Sequence, residues 1–363
     1  MNTPDRDPSF PFFRAAGTHR ELGRQHGQQA AEHIKAHLDY LCTSMKLSRD
    51  QLQDRALRFR PLFQRHCPHL LEEIEGLAEG AGITLAEALA VNIRGALSSV
   101  QDEGCTAYAI GARGTAAGSL LIGQNSDMLP AAIDFAYVLY LKPVDKPEVL
   151  MWTFGGMVGY HGLNSLGVAH FANDLGGGPQ PRFGMPHYPA KRQMLECSRI
   201  QEVVELLRRT PLWANGNYVV CDGTGEILDI EATTEGTELV TDQGAGVLAH
   251  STHFVSDTYA TQENHADSAA DSFSRLERMQ QLIRARFGQI GVEDVKQFLR
   301  DRAGQPSSIC RLAQTTDSAA SWVTAGITVA SIIAEPRERR LHVAVGNRAE
   351  TPFTVYEMDP VGR

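Results

Sequence analysis

The chain has 363 residues, 42% of them apolar and 21% charged, with a net charge of −9, enough to bury a large core without a disulfide or metal staple. The acidic balance excludes a nucleic-acid groove, which needs clustered Lys and Arg, and no apolar run reaches the roughly 20 residues of a membrane helix. Met1 to Pro11 lacks the apolar stretch of a secretory signal, and the six cysteines form no CxxC pair, so free thiols and a cytoplasmic protein are expected.

Residues from about 18 to 100 carry a helical pattern, with Leu22, Ala30, Ile34, Leu38, Leu41 and Met45 on one face. Ser48-x-x-Gln51 and Thr84-x-x-Glu87 are capping-box starts, in which hydroxyl and carboxyl or amide satisfy orphan backbone N–H groups. The texture changes at Asp102-Glu103-Gly104, after which strands dominate. They are expected at 105–110, 119–124, 135–142, 149–154, 167–172, 218–221, 227–232, 328–334 and 341–345. Phe135 to Leu141 is apolar on both faces, as suits a strand between layers. Leu341, Val343 and Val345 alternate with His342 and Ala344, predicting a strand with one covered face. Helical patterns return at about 189–208 and 272–302. Strands grouped apart from helices predict an α+β layered fold. The glycines at 176–178 with Pro179 read as a loop, and Arg337-Glu338-Arg339-Arg340 as a solvated turn.

G-x-S-x-G, P-loop and G-x-G-x-x-G motifs are absent from the sequence, which removes the usual support for serine hydrolase, NTPase and dinucleotide readings. His250-x-x-His253 near Asp257 lacks H-E-x-x-H spacing, and on a strand residues three apart face opposite ways, so no metal and no cofactor are expected. What remains is Asp102-Glu103-Gly104-Cys105-Thr106-Ala107-Tyr108. A lone cysteine at a strand start is commonly a buried small hydrophobe. Here Gly104 supplies backbone freedom before the thiol, Thr106 adds a hydroxyl, and Gly123-Gln124-Asn125-Ser126-Asp127 comes alongside if the two strands form a hairpin.

These two segments resemble the nucleophile region of the isopenicillin N acyltransferase family of N-terminal-nucleophile hydrolases. The likeness continues at Gly17-Thr18-His19-Arg20-Glu21-Leu22-Gly23, Gly162 to Val168, Asp229-Ile230-Glu231 and Ser308-Ile309-Cys310-Arg311, spanning nearly the whole chain in the family's order. The resemblance implies a four-layer αββα sandwich with a helical N-terminal segment. It further implies a precursor that cuts itself between Gly104 and Cys105. A helical α fragment (1–104) would then stay associated with a β fragment (105–363) that carries the core. By the family pattern Cys105 is the nucleophile, Asp127 and Arg311 are its partners, and Asn173 supplies the oxyanion hole; Thr106, Asn125 and Thr252 are supporting candidates. The implied substrate is a small-molecule amide, with an acyl-coenzyme A donor or an amine acceptor as further partner. Nucleic acid and membrane are not expected, and an oligomer is left open.

Each of these has a plainer reading. Asp127 is also what a turn or cap would hold, Arg311 an ordinary ion-paired arginine, and Asn173-Asp174 an Asx turn. Two departures from the family stand out. Ser126 sits where the family has Trp, and Ser251-Thr252-His253-Phe254 replaces Thr-Asn-His-Phe, leaving Thr252 or water as the donor in place of that Asn. His253 reads as structural. The departures support an alternative reading, a binding or scaffold protein on a catalytically decayed version of the fold.

Overall fold

The computed structural model describes residues 8–97, 104–260, 266–315, 325–348 and 350–360, with the backbone alone over 266–270. Asp102 and Glu103 of the expected junction lie outside the described residues. The N-terminal segment runs β1 (Phe12–Gly17), α1 (His19–Gln29), α2 (Ala31–Met45), α3 (Arg49–Leu57), α4 (Arg60–His66), α5 (Pro68–Ala81), α6 (Leu85–Asn92) and α7 (Arg94–Leu97). Strands follow as β2 (Gly104–Ile110), β3 (Leu121–Met128), β4 (Ala136–Pro143), β5 (Val149–Phe154), β6 (His161–Asn164) and β7 (Ala169–Asp174). Then come α8 (His187–Met194), α9 (Ile200–Arg209), β8 (Gly216–Cys221), β9 (Ile227–Ala232), β10 (Thr237–Val240) and β11 (Val247–His250). The chain closes with α10 (Ala266–Arg286), α11 (Val292–Leu299), β12 (Ile327–Glu335), β13 (Arg340–Val345) and β14 (Thr354–Glu357).

Two sheets form, in the orders β1-β4-β5-β6-β7-β8-β9-β10 and β11-β2-β3-β12-β13-β14. Strand alternation sorts their side chains into layers. Ala107, Ala109 and Ile332 of the six-stranded sheet meet Val138, Trp152 and Phe171 of the eight-stranded one in an inter-sheet core. On the outer side of the eight-stranded sheet, Tyr137, Leu139 and Leu141 pack under the N-terminal helices, and Val168, Tyr218 and Ile230 pack under α8 and α9. Tyr108, Ile110 and Ile333 cover the outer side of the six-stranded sheet against Met279, Ile283 and Phe298 of α10 and α11. The order is helix, sheet, sheet, helix, which is the αββα sandwich expected.

The expected strands fall on β2–β5, β7–β9, β12 and β13, the glycines at 176–178 lie in a loop, and Arg337 to Arg339 form a turn. Sequence reading missed β1, β6, β10 and β14, and of the strand expected through His250 to His253 only His250 is on one, since β11 ends there and His253 lies in the loop beyond. The N-terminal segment is therefore not purely helical: β1 pairs in parallel with β4, Phe12 opposite Val138. β13 has both faces covered, because His342 on its outer side is buried against Glu335, Nε2 to Oε1 2.6 Å. The capping boxes at Ser48 and Thr84 form, and a third, Thr18 with Glu21, opens α1. α1 and α5 approach through glycines, since a Cβ on Gly23 would stand 1.8 Å from the Glu73 carbonyl oxygen and one on Gly76 2.1 Å from that of Arg20.

Candidate active site

β2 and β3 form the antiparallel pair that sets the site, with Gly104 opposite Asp127, Cys105 opposite Ser126 and Thr106 opposite Asn125. Period-two alternation turns Cys105 inward with Ala107 and Ala109, between the sheets, and Thr106 outward with Tyr108, toward α10. Cys105 is 1% exposed. Its Sγ lies 3.7 Å from Gln124 Nε2 and 4.0 Å from Ser126 Oγ, both on the inward face of β3.

Gln124 is a junction. Its Nε2 also lies 2.7 Å from Nδ1 of His161 on β6, and its Oε1 accepts from the backbone N–H of Ala172 on β7 at 3.1 Å. Burial, with the charge of Lys191 nearby, pushes His161 well below the ordinary histidine range. The ring is neutral, and an Nδ1 that accepts from an amide leaves the proton on Nε2.

On the outward side a second cluster forms. Asp127 is fully buried and accepts at 2.6 Å from the hydroxyl of Thr328, whose oxygen in turn accepts from the Arg311 backbone N–H at 2.8 Å. Burial raises the Asp127 carboxyl to about 6 despite the opposing charges of Arg275 and Arg311. Nη1 of Arg311 meets Oδ2 of Asp271 at 2.9 Å, and Nε of Arg275 meets the same oxygen at 3.1 Å. Burial alone would raise Asp271, but the two guanidiniums outweigh it and hold the carboxyl below its usual range. Nη1 of Arg275 donates to the Cys105 carbonyl oxygen and, at 2.9 Å, to Thr106 Oγ1; Nη2 donates to Thr252 Oγ1 at 3.1 Å.

The other candidates divide. Asn125 donates to the carbonyls of Leu299 and Ile309 at 2.8 and 2.9 Å, which ties β3 to the segment carrying Arg311. Asn173 is 2% exposed on β7, one residue past the N–H that Gln124 holds. Its backbone N–H and its side-chain amide both donate to Asn217 Oδ1, at 3.1 and 2.6 Å. Asn217 continues to Asp229 Oδ1 at 2.8 Å, and His250 lies between Asp229 and Glu231 at 3.7 and 3.1 Å. His253 follows β11 in a loop, held to α10 by Ser272 Oγ at 2.6 Å, and burial lowers it to about 4.

Cys105, Thr106, Asn125, Asp127, Thr252 and Arg311 thus gather around one end of the β2–β3 hairpin. Sequence reading missed Arg275, Asp271, Thr328 and His161, and quoted Gln124 without singling it out. Period two put Gln124 on the Cys105 face, so that signal was present. Nothing local distinguishes Arg275 from Arg278, which pairs with Asp301 at the surface.

All six cysteines are unbridged. Among the described residues no cluster of three or more His, Cys, Asp or Glu is placed to hold a metal, and no helix is long and apolar enough to cross a membrane.

A profile of the family described as acyl-coenzyme A:6-aminopenicillanic acid acyl-transferase matches residues 115–350. The acyl-coenzyme A:6-aminopenicillanic-acid-acyltransferase 40 kDa form of Emericella nidulans is 26% identical over 357 residues, covering 94% of each chain. Among solved structures, two variants of the conjugated bile acid hydrolase of Clostridium perfringens superpose with TM-scores of 0.51 and 0.52 at 13% and 14% identity. Each covers 70% of this chain and 92% of its own, and what is shared is the fold, the αββα sandwich. With the profile spanning more than half its length, this chain belongs to the acyl-coenzyme A:6-aminopenicillanic acid acyl-transferase family.

Proposed function

We propose that the chain cuts itself between Gly104 and Cys105 and then, through a Cys105 acyl-enzyme, hydrolyses a small-molecule amide or passes its acyl group to an amine. One observation carries this reading. Cys105 is the second residue of β2 with its thiol between the sheets, its carbonyl accepts from Arg275, and the buried Asp127 pairs with the preceding Gly104.

In the first step the Cys105 thiolate attacks the Gly104 carbonyl carbon. The carbon–nitrogen bond breaks, the departing nitrogen gains a proton to become the Cys105 α-amine, and water opens the thioester. Cys105 then supplies nucleophile and base together, because a free α-amine titrates at about 7.7–8.0 and a thiol near 8.5. The amine takes the thiol proton, the thiolate attacks the substrate carbonyl, and the proton passes to the leaving amine. Water, or a second amine, releases the acyl group. Asp127 lies directly across from Gly104, and on this reading its carboxylate is the counter-ion of the new amine. For the oxyanion, Thr252 accepts from Arg275 and so keeps its own hydroxyl proton to donate, and one hydrogen of the Asn173 amide remains beyond the one given to Asn217. Losing one such donor costs roughly 3 kcal/mol in well-studied hydrolases.

On this reading 1–104 and 105–363 are the two fragments, and the first stays docked. The parallel pairing of β1 with β4 and the buried Glu73–Arg192 ion pair, 2.7 Å, both span the cut. An acyl-coenzyme A donor fits the family to which the chain belongs. The test is the intact mass of freshly purified protein beside its Cys105→Ala variant. Two fragments meeting at Gly104/Cys105 in the wild type, with the variant whole, are expected. A wild-type chain that stays whole under native conditions overturns the self-cleavage.

A further inference from the structure

Arg275 touches the nucleophile residue itself, and no motif accounts for it. It is fully buried on α10, and all three guanidinium nitrogens are used: on the Cys105 carbonyl and Thr106, on Thr252, and on Asp271. We propose that Arg275 is a positioning residue that keeps Cys105 in register once its covalent tether to Gly104 has been cut. The proposal rests on the reading of Cys105 as an N-terminal nucleophile.

A chain end frays unless something ties it down. After cleavage Cys105 is the first residue of β2. On one side it has its partner on β3, Ser126. On the other side the ladder is missing, because β11 ends at His250, opposite Ala107, two residues short of Cys105. Arg275 fills that place. It bonds the Cys105 carbonyl with one arm and Thr252, two residues beyond the end of β11, with the other. The guanidinium continues the sheet where the strand stops, and its planar fork suits that task better than the point charge of a lysine.

Register matters because a reacting group misplaced by about 1 Å can lose on the order of 100-fold in rate. Before cleavage the peptide bond to Gly104 and the Gly104–Asp127 pairing hold Cys105 from its other side, so Arg275 counts for less. The expected signature is turnover impaired and self-cleavage spared. Because Arg275 reaches Cys105 through its carbonyl rather than the substrate, the loss falls on kcat and not on KM. The substitution leaves no orphaned charge, since Asp271 keeps Arg311 as its partner.

The experiment compares wild type, Cys105→Ala, Arg275→Met and Arg275→Lys, following cleavage by intact mass and turnover by hydrolysis of p-nitrophenyl acetate. Arg275→Met is expected to cleave at close to the wild-type rate and then to lose about 100-fold in kcat at unchanged KM. Arg275→Lys, with charge but fewer bonds, is expected to fall between the two. A cleaved Arg275→Met enzyme with kcat near the wild type overturns the proposal, as does a loss that strikes cleavage and turnover alike. If Arg275→Met does not fold, Arg275→Lys decides, and full turnover in that variant overturns the proposal. A different pattern marks failure of the underlying reading: Cys105→Ala would hydrolyse the ester as fast as wild type, or wild type would stay whole, and the role of Arg275 falls with it.

Discussion

The carboxyl of Asp127 sits fully buried, with Thr328 as its hydrogen-bond donor and two guanidiniums in its neighbourhood. Burial wins, and the group titrates at about 6 instead of 3.8. A raised folded-state value means that the native state holds the proton more tightly than the unfolded chain. Stability from this group is full below the unfolded value and is lost as pH rises through about 6. At neutrality the ionised carboxyl therefore costs about 3 kcal/mol, at roughly 1.4 kcal/mol per unit. On the proposed mechanism its charge is the counter-ion of the α-amine. Asp127→Asn is expected to raise the denaturation midpoint at pH 7 while abolishing most turnover, and wild-type kcat/KM is expected to fall as pH drops through about 6. A variant that is both less stable and inactive would make Asp127 an ordinary packing residue. At this scale the hairpin that sets Cys105 beside residues 123–127 was legible from local pattern, whereas the roles given to Cys105 and Asp127 came from the family resemblance. Arg275 and Asp271 were not: Arg275 reaches Cys105 and Thr106 from 170 and 169 residues away, Asp271 meets Arg311 from 40 residues away, and their own i, i+4 ion pair reads as a solvated helix face.

Elements formed where local signals were strong and were missed where pairing was remote. The helices of the N-terminal segment carry an apolar stripe and hydroxyl caps, both readable from neighbours alone. β1 has no such signal, since its partner β4 is far along the chain and parallel, and a parallel strand has no hairpin turn to announce it. β6, β10 and β14 span four residues each, too short for alternation to register. The motif at residues 17–23 was read for its family likeness, and its last residue has a physical reason of its own. α1 and α5 lie backbone to backbone, with a Cβ on Gly23 only 1.8 Å from the Glu73 carbonyl oxygen and 2.8 Å from the Leu77 nitrogen. Both atoms are helix backbone and have little room to yield. Alanine favours a free helix by about 1 kcal/mol over glycine, but overpacking costs 1–3 kcal/mol or more. Gly23→Ala is therefore expected to lower the melting temperature by several degrees, whereas Gly82→Ala, where a Cβ meets nothing within 4 Å but φ is +66°, carries only the strain of a left-handed residue. Equal melting temperatures for Gly23→Ala and wild type would show that α1 and α5 can part without cost.

For the whole molecule, the consequence of a cut at Gly104 depends on what spans it. Beyond the β1–β4 ladder, a buried polar network joins the two parts. Glu73 of α5 receives Nδ1 of His19 at 3.1 Å and Nη1 of Arg192 on α8 at 2.7 Å, and both Glu73 and Arg192 are fully buried. Burial by itself would raise the Glu73 carboxyl, but Arg192 and His19 outweigh it and keep it ionised. A buried pair contributes little relative to apolar side chains of equal size, yet removing one partner strands the other at a cost of about 3–5 kcal/mol. Glu73→Ala is thus expected to cleave normally but to release the fragment ending at Gly104, or to unfold at a markedly lower denaturant concentration. The double variant Glu73→Met/Arg192→Met is expected to recover much of that loss. Size-exclusion chromatography of the cleaved proteins reads the outcome directly. Wild type should elute as one species containing both fragments. Free fragments from the wild type would mean that neither ladder nor network holds the halves together, and co-elution with an unchanged denaturation midpoint in Glu73→Ala would leave β1 as the clasp.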